Sequence, residues 1–412
     1  MARPPPLKLP CDRPMPYLHD SLIDEILLRV PPHDPGCLVR CSAVCKPWRR
    51  HLTDPNFLGR YRAFHRVPPM LGFLFNLADG CFVVRFVRTT SFRPRTLDHA
   101  GCYVRDARHG RILFRNIISE KRGFHLFVWS PVTDERWGLY IPFPFYHFVA
   151  AVAVLCAKAA REGGCDCDHL NCHSGPFLVA FVATDEDGVT CGCVYSSETG
   201  AYSIMTCAQH PNGTEDMDTL DPVVLVGNRI YFPAGQSKTI VEYDLGRQKL
   251  AFLEPPPLAH QGHCMLMPAM GGGLGFASVR ESCLYMWSRD TGSDRTAAIW
   301  TQSRVLELNT LPDCETALGF RESLMGKDVA VVGFAEGLDV IFVRTDVGVF
   351  TINRESGQVK KMTSIRPDLV IPCMSFYTPG TVRGWLLPSP WLYRCNHPHT
   401  TLFICICFVQ VD

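Results

Sequence analysis

The sequence predicts two domains of different class: an all-α segment of three to four short helices over residues 17–66, then a large all-β domain over residues 71–378. Three observations carry this. Apolar residues recur at helical spacing through the first segment. From about residue 71 the texture changes to short runs rich in Val, Phe, Tyr and Ile, broken by Gly, Asp, Asn and Pro, the pattern of many short antiparallel strands. Pro68-Pro69 stands between the two textures, where a helix cannot continue. The length of 412 residues suits two or three domains. A hydrophobic content of 47% with 20% charged residues marks a globular chain. The proline-rich residues 1–16 are expected to be disordered.

Within the helical segment, Asp20 and Ser21 offer an N-cap, and Asp24 follows Ser21 by three residues as in a capping box. Leu22, Ile23, Ile26, Leu27 and Val30 then fall at helical spacing until Pro31-Pro32 ends the helix. Asp34-Pro35 starts a second helix, whose stripe is Leu38, Cys41, Cys45 and Trp48; Pro47 breaks it near Cys45. Asp54-Pro55 starts another, carrying Phe57, Leu58, Tyr61 and Phe64. About fifty residues bury little core unaided. An apolar ridge of Leu18, Ile26, Leu27, Pro31 and Leu38 therefore predicts an interface.

The run from Leu18 to Pro31, Leu-His-Asp-Ser-Leu-Ile-Asp-Glu-Ile-Leu-Leu-Arg-Val-Pro, resembles the opening of an F-box. Leu38 to Arg50, with Val44-Cys45-Lys46-Pro47-Trp48-Arg49, resembles its second half, and Pro55-Asn56-Phe57 fits the usual exit. The resemblance implies docking onto a Skp-type adaptor and, through it, cullin. Position by position it implies contact or support from Leu18, His19, Ile26, Leu27, Pro31, Leu38, Val39, Val44, Cys45 and Trp48. The family usually has proline after the first leucine. His19 stands there instead, which removes a rigid contact and places a polar ring at the adaptor surface.

The β region repeats a form: an aromatic-rich strand, a polar turn ending in Gly or Asp, then another strand. It occurs at Cys102–Gly110, Val128–Asp134, Val194–Gly200, Val241–Gly246, Tyr285–Gly292 and Phe350–Gly357. Turn positions 200, 246 and 292 are 46 residues apart, and 134 to 200 and 292 to 357 are wider. The interval 110 to 134 is short enough for two hairpins of one repeat. A period in the forties suits a four-stranded blade, so an irregular β-propeller is expected. The strings from Val128 to Pro142 and from Gly273 to Gly292 resemble the kelch-like domains that follow F-boxes in many plant proteins, those of grasses foremost. Trp129, Trp287 and Trp300 read as blade core. Pro372–Tyr377 reads as the close of the domain and 379–412 as an uncertain tail, with Leu402 to Val411 an alternative closing strand.

A net charge of +1 gives no field favouring nucleic acid or membrane as partner. No apolar run reaches the roughly 18 residues of a spanning helix. The start shows no signal peptide, so a reducing compartment, cytoplasm and/or nucleus, is expected, with the twenty cysteines free. Cys165, Cys167, His169, Cys172 and His173 could bind zinc. They form one compact cluster without a second half, which Cys156, Cys191 or Cys193 supply only if the fold brings them close. A surface loop with reduced thiols is the favoured reading, and no metal or cofactor is expected. Cys37, Cys41 and Cys45 have core spacing, Gly271-Gly272-Gly273 reads as a strand-entry turn, and Asp185–Gly188 reads as an acidic hairpin turn. No catalytic residues are expected. The resemblance implies a non-enzymatic substrate receptor of a Skp–cullin–F-box ubiquitin ligase, its β domain capturing an unknown target protein. The alternatives are an F-box protein defective in ligase assembly, and a propeller binding module or enzyme with a helical cap.

Overall fold

The computed structural model describes residues 19–77, 82–117, 125–142, 151–160, 167–213, 222–234, 239–256, 264–289, 299–311, 319–324 and 328–379. The readings placed on 1–16, on Leu18, on Cys165 and on nearly all of 379–412, including the strand from Leu402 to Val411, lie outside these residues. The chain parts into two compact units between Phe64 and His65 and between Tyr377 and Thr378.

The first unit holds α1 (Asp20–Leu28), α2 (Pro35–Val44), α3 (Lys46–Leu52) and α4 (Pro55–His65). Proline sets the breaks. Pro35 opens α2 behind Asp34, and Cys45 is fully extended (φ −158°, ψ 165°) ahead of Lys46-Pro47, which separates α3 from α2. Asp54 caps α4 by accepting the Asn56 and Phe57 N–H groups at 2.8 and 3.1 Å. Leu27, Leu38, Trp48, Leu52, Phe57 and Tyr61 are buried, and Tyr61 donates its hydroxyl to the Val30 carbonyl at 2.7 Å.

The second unit is a six-bladed β-propeller. Blade 1 begins with β1 (Met70–Asn76), β2 (Val83–Arg88) and β3 (Asp98–Ala100). Blade 2 is β4 (Cys102–Arg108), β5 (Arg111–Asn116), β6 (Leu126–Trp129) and β7 (Arg136–Leu139). Blade 3 is β8 (Ala151–Cys156), β9 (Phe177–Thr184), β10 (Val189–Ser196) and β11 (Ala201–Tyr202), and β12 (Thr206–Gln209) also pairs with β10. Blade 4 is β13 (Val224–Val226), β14 (Arg229–Ala234), β15 (Thr239–Asp244) and β16 (Lys249–Leu253). Blade 5 is β17 (Cys264–Pro268), β18 (Leu274–Arg280), β19 (Cys283–Arg289) and β20 (Trp300–Glu307). After a single helical turn α5 (Phe320–Ser323), blade 6 is β21 (Ala330–Ala335), β22 (Val340–Thr345), β23 (Gly348–Asn353) and β24 (Val359–Thr363). Finally β25 (Ile371–Met374) pairs antiparallel with β1, opposite Leu74, Phe73 and Gly72, and becomes the innermost strand of blade 1. The ring is thus closed by strands from both ends of the domain.

The repeated turns follow the third strands. Asp134, Gly200 and Gly357 are left-handed (φ 60°, 68° and 73°), and each N–H returns to the carbonyl four residues earlier at 2.8–2.9 Å. In blade 4 the left-handed residue is Gln248 (φ 50°), not Gly246, so the equivalent position lies 48 residues beyond Gly200 rather than 46. The 110 and 134 turns do belong to one blade, as the β4–β5 and β6–β7 hairpins. Trp129 and Trp287 are buried, and Trp300 packs on Phe276 at 6.0 Å and donates to the Glu254 carbonyl at 2.8 Å.

One expectation about the cysteines fails. Cys191 on β10 lies directly opposite Cys207 on β12, their Cα atoms 4.1 Å apart, and the two are joined as a disulfide. Register, invisible in a list of cysteines, makes that pair.

His99 on β3 is buried with its ring 4.7 Å from Phe114 and 4.6 Å from Trp129, and its Nε2 has no hydrogen-bond partner among the described residues. Burial, with the charge of Arg136 second, holds its pKa down to about 4 against an ordinary 6.5. The neutral ring is therefore what folds. Its contribution is complete above pH 6.5 and is lost as pH falls toward 4, up to about 3 kcal/mol over that window. His99→Phe keeps an aromatic ring in the same place without the titrating nitrogen. Acid unfolding of the variant, followed by circular dichroism, is expected to begin at lower pH than in the wild type.

Candidate functional site

Two places in the described chain gather the residues singled out from sequence. The first is the surface of α1 and α2. His19 caps α1: its Nδ1 accepts the Ser21 N–H at 3.4 Å and lies 2.8 Å from Ser21 Oγ. The cap is therefore His19, not Asp20 or Ser21, because its imidazole nitrogen accepts the Ser21 N–H of the first turn and its carbonyl accepts those of Leu22 and Ile23. Ile26 is 41% exposed, and Leu22, one turn before it on the same face, is 52% exposed. Pro31 is exposed; Val39, Val44 and Cys45 are half-buried. Leu27, Leu38 and Trp48 are buried. The ten residues thus divide into exposed positions, partly covered positions and core of the helical unit itself, with Leu18 outside the description. Leu22 was legible as the i−4 neighbour of Ile26 yet was not included in the predicted ridge.

The second place is one mouth of the propeller. A cavity of about 240 Å³ opens there, walled by Arg105, Asp106, His109, His169, His173 and Glu336 among others. A bulge in β4 between Val104 and Asp106 turns successive charged residues of an innermost strand toward the centre. Asp106 pairs with Arg108 at 3.1 Å and accepts the Val154 N–H of β8 at 2.9 Å. Arg108 donates in turn to the Val223 carbonyl just before β13. One buried pair thereby ties blades 2, 3 and 4 together. Burial raises the Asp106 carboxyl, opposed by Arg108 and the Val154 N–H.

Beside this mouth lies the predicted cysteine–histidine segment, in the twenty-residue connection between β8 and β9. Cys167, His169 and Cys172 come together, and Cys156, the last residue of β8, joins them. His173 does not: it is buried against the turn at Gly110 and lines the cavity. Cys193 is buried in the core between blades 2 and 3 and Cys191 is in the disulfide, so neither completes the set. His169 stacks on His109 with ring centroids 3.9 Å apart, and His109 Nδ1 accepts the Cys156 N–H at 3.1 Å. Burial, with His169 second, holds His109 well below the usual imidazole range, consistent with a neutral, accepting ring.

The remaining motifs are structural. Gly272 and Gly273, both with φ 84°, turn the chain from β17 into β18. Asp185 spends its carboxylate on the Asp187 and Val189 N–H groups at 3.0 and 2.7 Å, shaping the β9–β10 hairpin. Among the described residues no helix is long and apolar enough to cross a membrane.

Comparison with known proteins agrees with the helical unit. The F-box domain family matches residues 15–59. No curated protein matches the chain. Similar solved structures include the extracellular domain of a one component system from B. thetaiotaomicron, at 12% identity and a TM-score of 0.31, covering 64% of this chain and 28% of that one. Another is Kluyveromyces lactis Hsv2, at 11% identity and a TM-score of 0.32, covering 57% of this chain and 71% of that one. At those scores neither adds to the fold described above.

Proposed function

We propose that this protein is the substrate receptor of a Skp–cullin–F-box ubiquitin ligase. The observation that carries the reading is the F-box match at residues 15–59 laid on a helical unit whose first helix exposes Leu22 and Ile26 together. An F-box domain followed by a β-propeller suits an adaptor that holds a target protein near the transfer machinery. It would act by proximity and orientation rather than by chemistry of its own. The adaptor surface in this reading is Leu22, Ile26 and Pro31, flanked by Val39, Val44 and Cys45. Leu27, Leu38 and Trp48 support that surface from beneath. The target, the plant and kelch-like affinities and the cytoplasmic or nuclear setting belong to the same proposal.

The test is capture of the full-length chain by purified Skp adaptor, beside Ile26→Asp. The substitution places a charge on an exposed apolar position, so the fold should survive while a desolvated contact costs roughly 2 kcal/mol or more. The expected result is binding by the wild type and a loss of about 30-fold or more in the variant. No binding by the wild type would overturn the reading and leave the propeller as an independent binding module.

A further inference from the structure

We infer that Cys156, Cys167, His169 and Cys172 form a structural zinc site that fastens the β8–β9 connection to the propeller mouth. The donor atoms of these four residues all lie within 4.8 Å of one another. Cys167 Sγ is 3.4 Å and His169 Nδ1 is 3.5 Å from Cys172 Sγ. A tetrahedral zinc with ordinary bond lengths separates two thiolates by about 3.8 Å, and a thiolate from an imidazole nitrogen by about 3.6 Å. These two edges need only a few tenths of an ångström of adjustment, and a separation at the 4.8 Å limit of the set needs about 1 Å. Four protein donors leave no open position, so the site holds structure and does not activate water. Three sulfurs and one imidazole, with no carboxylate among them, select zinc over magnesium or calcium.

The fold explains why the set assembles. Cys156 pairs with Phe177 across β8 and β9, which closes the connection and returns its end to its beginning. Ala157 N–H donates to the Pro176 carbonyl at 3.2 Å and repeats that closure one residue on. Within the loop, Asp168 accepts the Leu170 N–H at 3.0 Å, His169 is left-handed (φ 55°), and a short 3₁₀ turn begins at Cys172. Cys156 and Cys172 are buried, and Cys167 and His169 are partly exposed.

Charge gives a second, independent reason. Zinc with three thiolates carries one net negative charge. Arg111, 4% exposed, lies within electrostatic reach of Cys172, Cys156 and Glu135, with Nη1 lacking a hydrogen-bond partner among the described residues. Its Nη2 donates to the Gly175 carbonyl, and the Gly175 N–H donates to the Cys172 carbonyl at 3.1 Å. A buried guanidinium fixed next to the cluster suits a metal–thiolate anion better than neutral thiols. Asp168, His169, Leu170, Cys172 and His173 line the cavity, so the metal would also hold one wall of it in place.

The experiment measures zinc in the full-length chain, purified under reducing conditions and dialysed, by elemental analysis. Zinc is then replaced by cobalt(II), whose absorption reports tetrahedral thiolate coordination. Cys167→Ser and Cys172→Ser are compared with Cys283→Ser on β19, which lies outside the cluster. One zinc per chain is expected in the wild type and in Cys283→Ser. In the two cluster variants cobalt affinity should fall by at least about 100-fold. X-ray absorption on the wild type needs no variant to fold, and should show three sulfur and one nitrogen neighbours at about 2.3 and 2.0 Å. Absence of stoichiometric metal, cobalt binding that survives both cluster substitutions, or a Cys167–Cys172 disulfide in the reduced preparation would each overturn the assignment.

Discussion

Asp106→Ala is expected to destabilise the propeller by about 3–5 kcal/mol, a large part of the margin by which a domain of this kind is stable. The size follows from what the alanine leaves behind. Arg108 stays buried, with side-chain exposure of 6%, and loses the carboxylate 3.1 Å from its guanidinium. The Val154 N–H on β8 loses its 2.9 Å acceptor. An unpaired charge and an orphaned backbone donor are both costly where the side chains are this deeply buried. The damage also falls on the joints between blades, because the pair links β4 to β8 and to Val223. Asp106→Asn keeps an oxygen for Val154 and a neutral partner for Arg108, so about half that cost is expected of it. Thermal and denaturant unfolding of the three proteins gives the comparison. A loss below about 1 kcal/mol for the alanine variant would mean that the pair adds little once its desolvation is counted.

How far the sequence could lead depends on whether a feature is written in periodicity or in register. The helices of the first unit were legible because prolines at 31, 35, 47 and 55 punctuate an apolar period, and those breaks stand within three residues of the helix ends. Four of the six blades announced themselves through the turn after their third strand, and the blade 5 turn read at Gly292 lies outside the described residues. Blade 1 did not. Nine residues separate β2 from its three-residue outer strand β3, instead of a tight turn, and its innermost strand comes from residues 371–374. Nothing local in 70–100 reveals either fact. The blade 4 turn was misplaced by two residues because glycine at 246 was more conspicuous than Gln248, which takes the left-handed conformation there.

The same distinction governs the sites. Cys167, His169 and Cys172 were visible as a cluster, yet their fourth partner, Cys156, is eleven residues upstream and arrives only through the β8–β9 pairing. Cys191 and Cys207 likewise meet through strand register. On the helices, spacing located the apolar stripe but could not divide it into inside and outside. Leu27 and Ile26 are neighbours in sequence; one is fully buried and the other 41% exposed.

That division makes Trp48→Ala and Ile26→Asp instructive opposites. Trp48 is buried, and removing its indole is expected to cost about 3–5 kcal/mol. A helical unit of this size is stable by only a few kcal/mol in isolation. Trp48→Ala should therefore unfold it, erasing amide-exchange protection over residues 20–65 while the separate compact unit of the propeller keeps its own. Adaptor capture would fail with it. Ile26→Asp should leave exchange protection intact and still lose the adaptor. If Trp48→Ala kept wild-type protection, the tryptophan would be a contact and not a support. Saturating adaptor adds a further check, because a partner present at 100 times its Kd stabilises the state it binds by about 2.7 kcal/mol. Protection over residues 20–65 should then rise about 100-fold in the wild type and stay unchanged in Ile26→Asp, which separates the face that binds from the core that carries it.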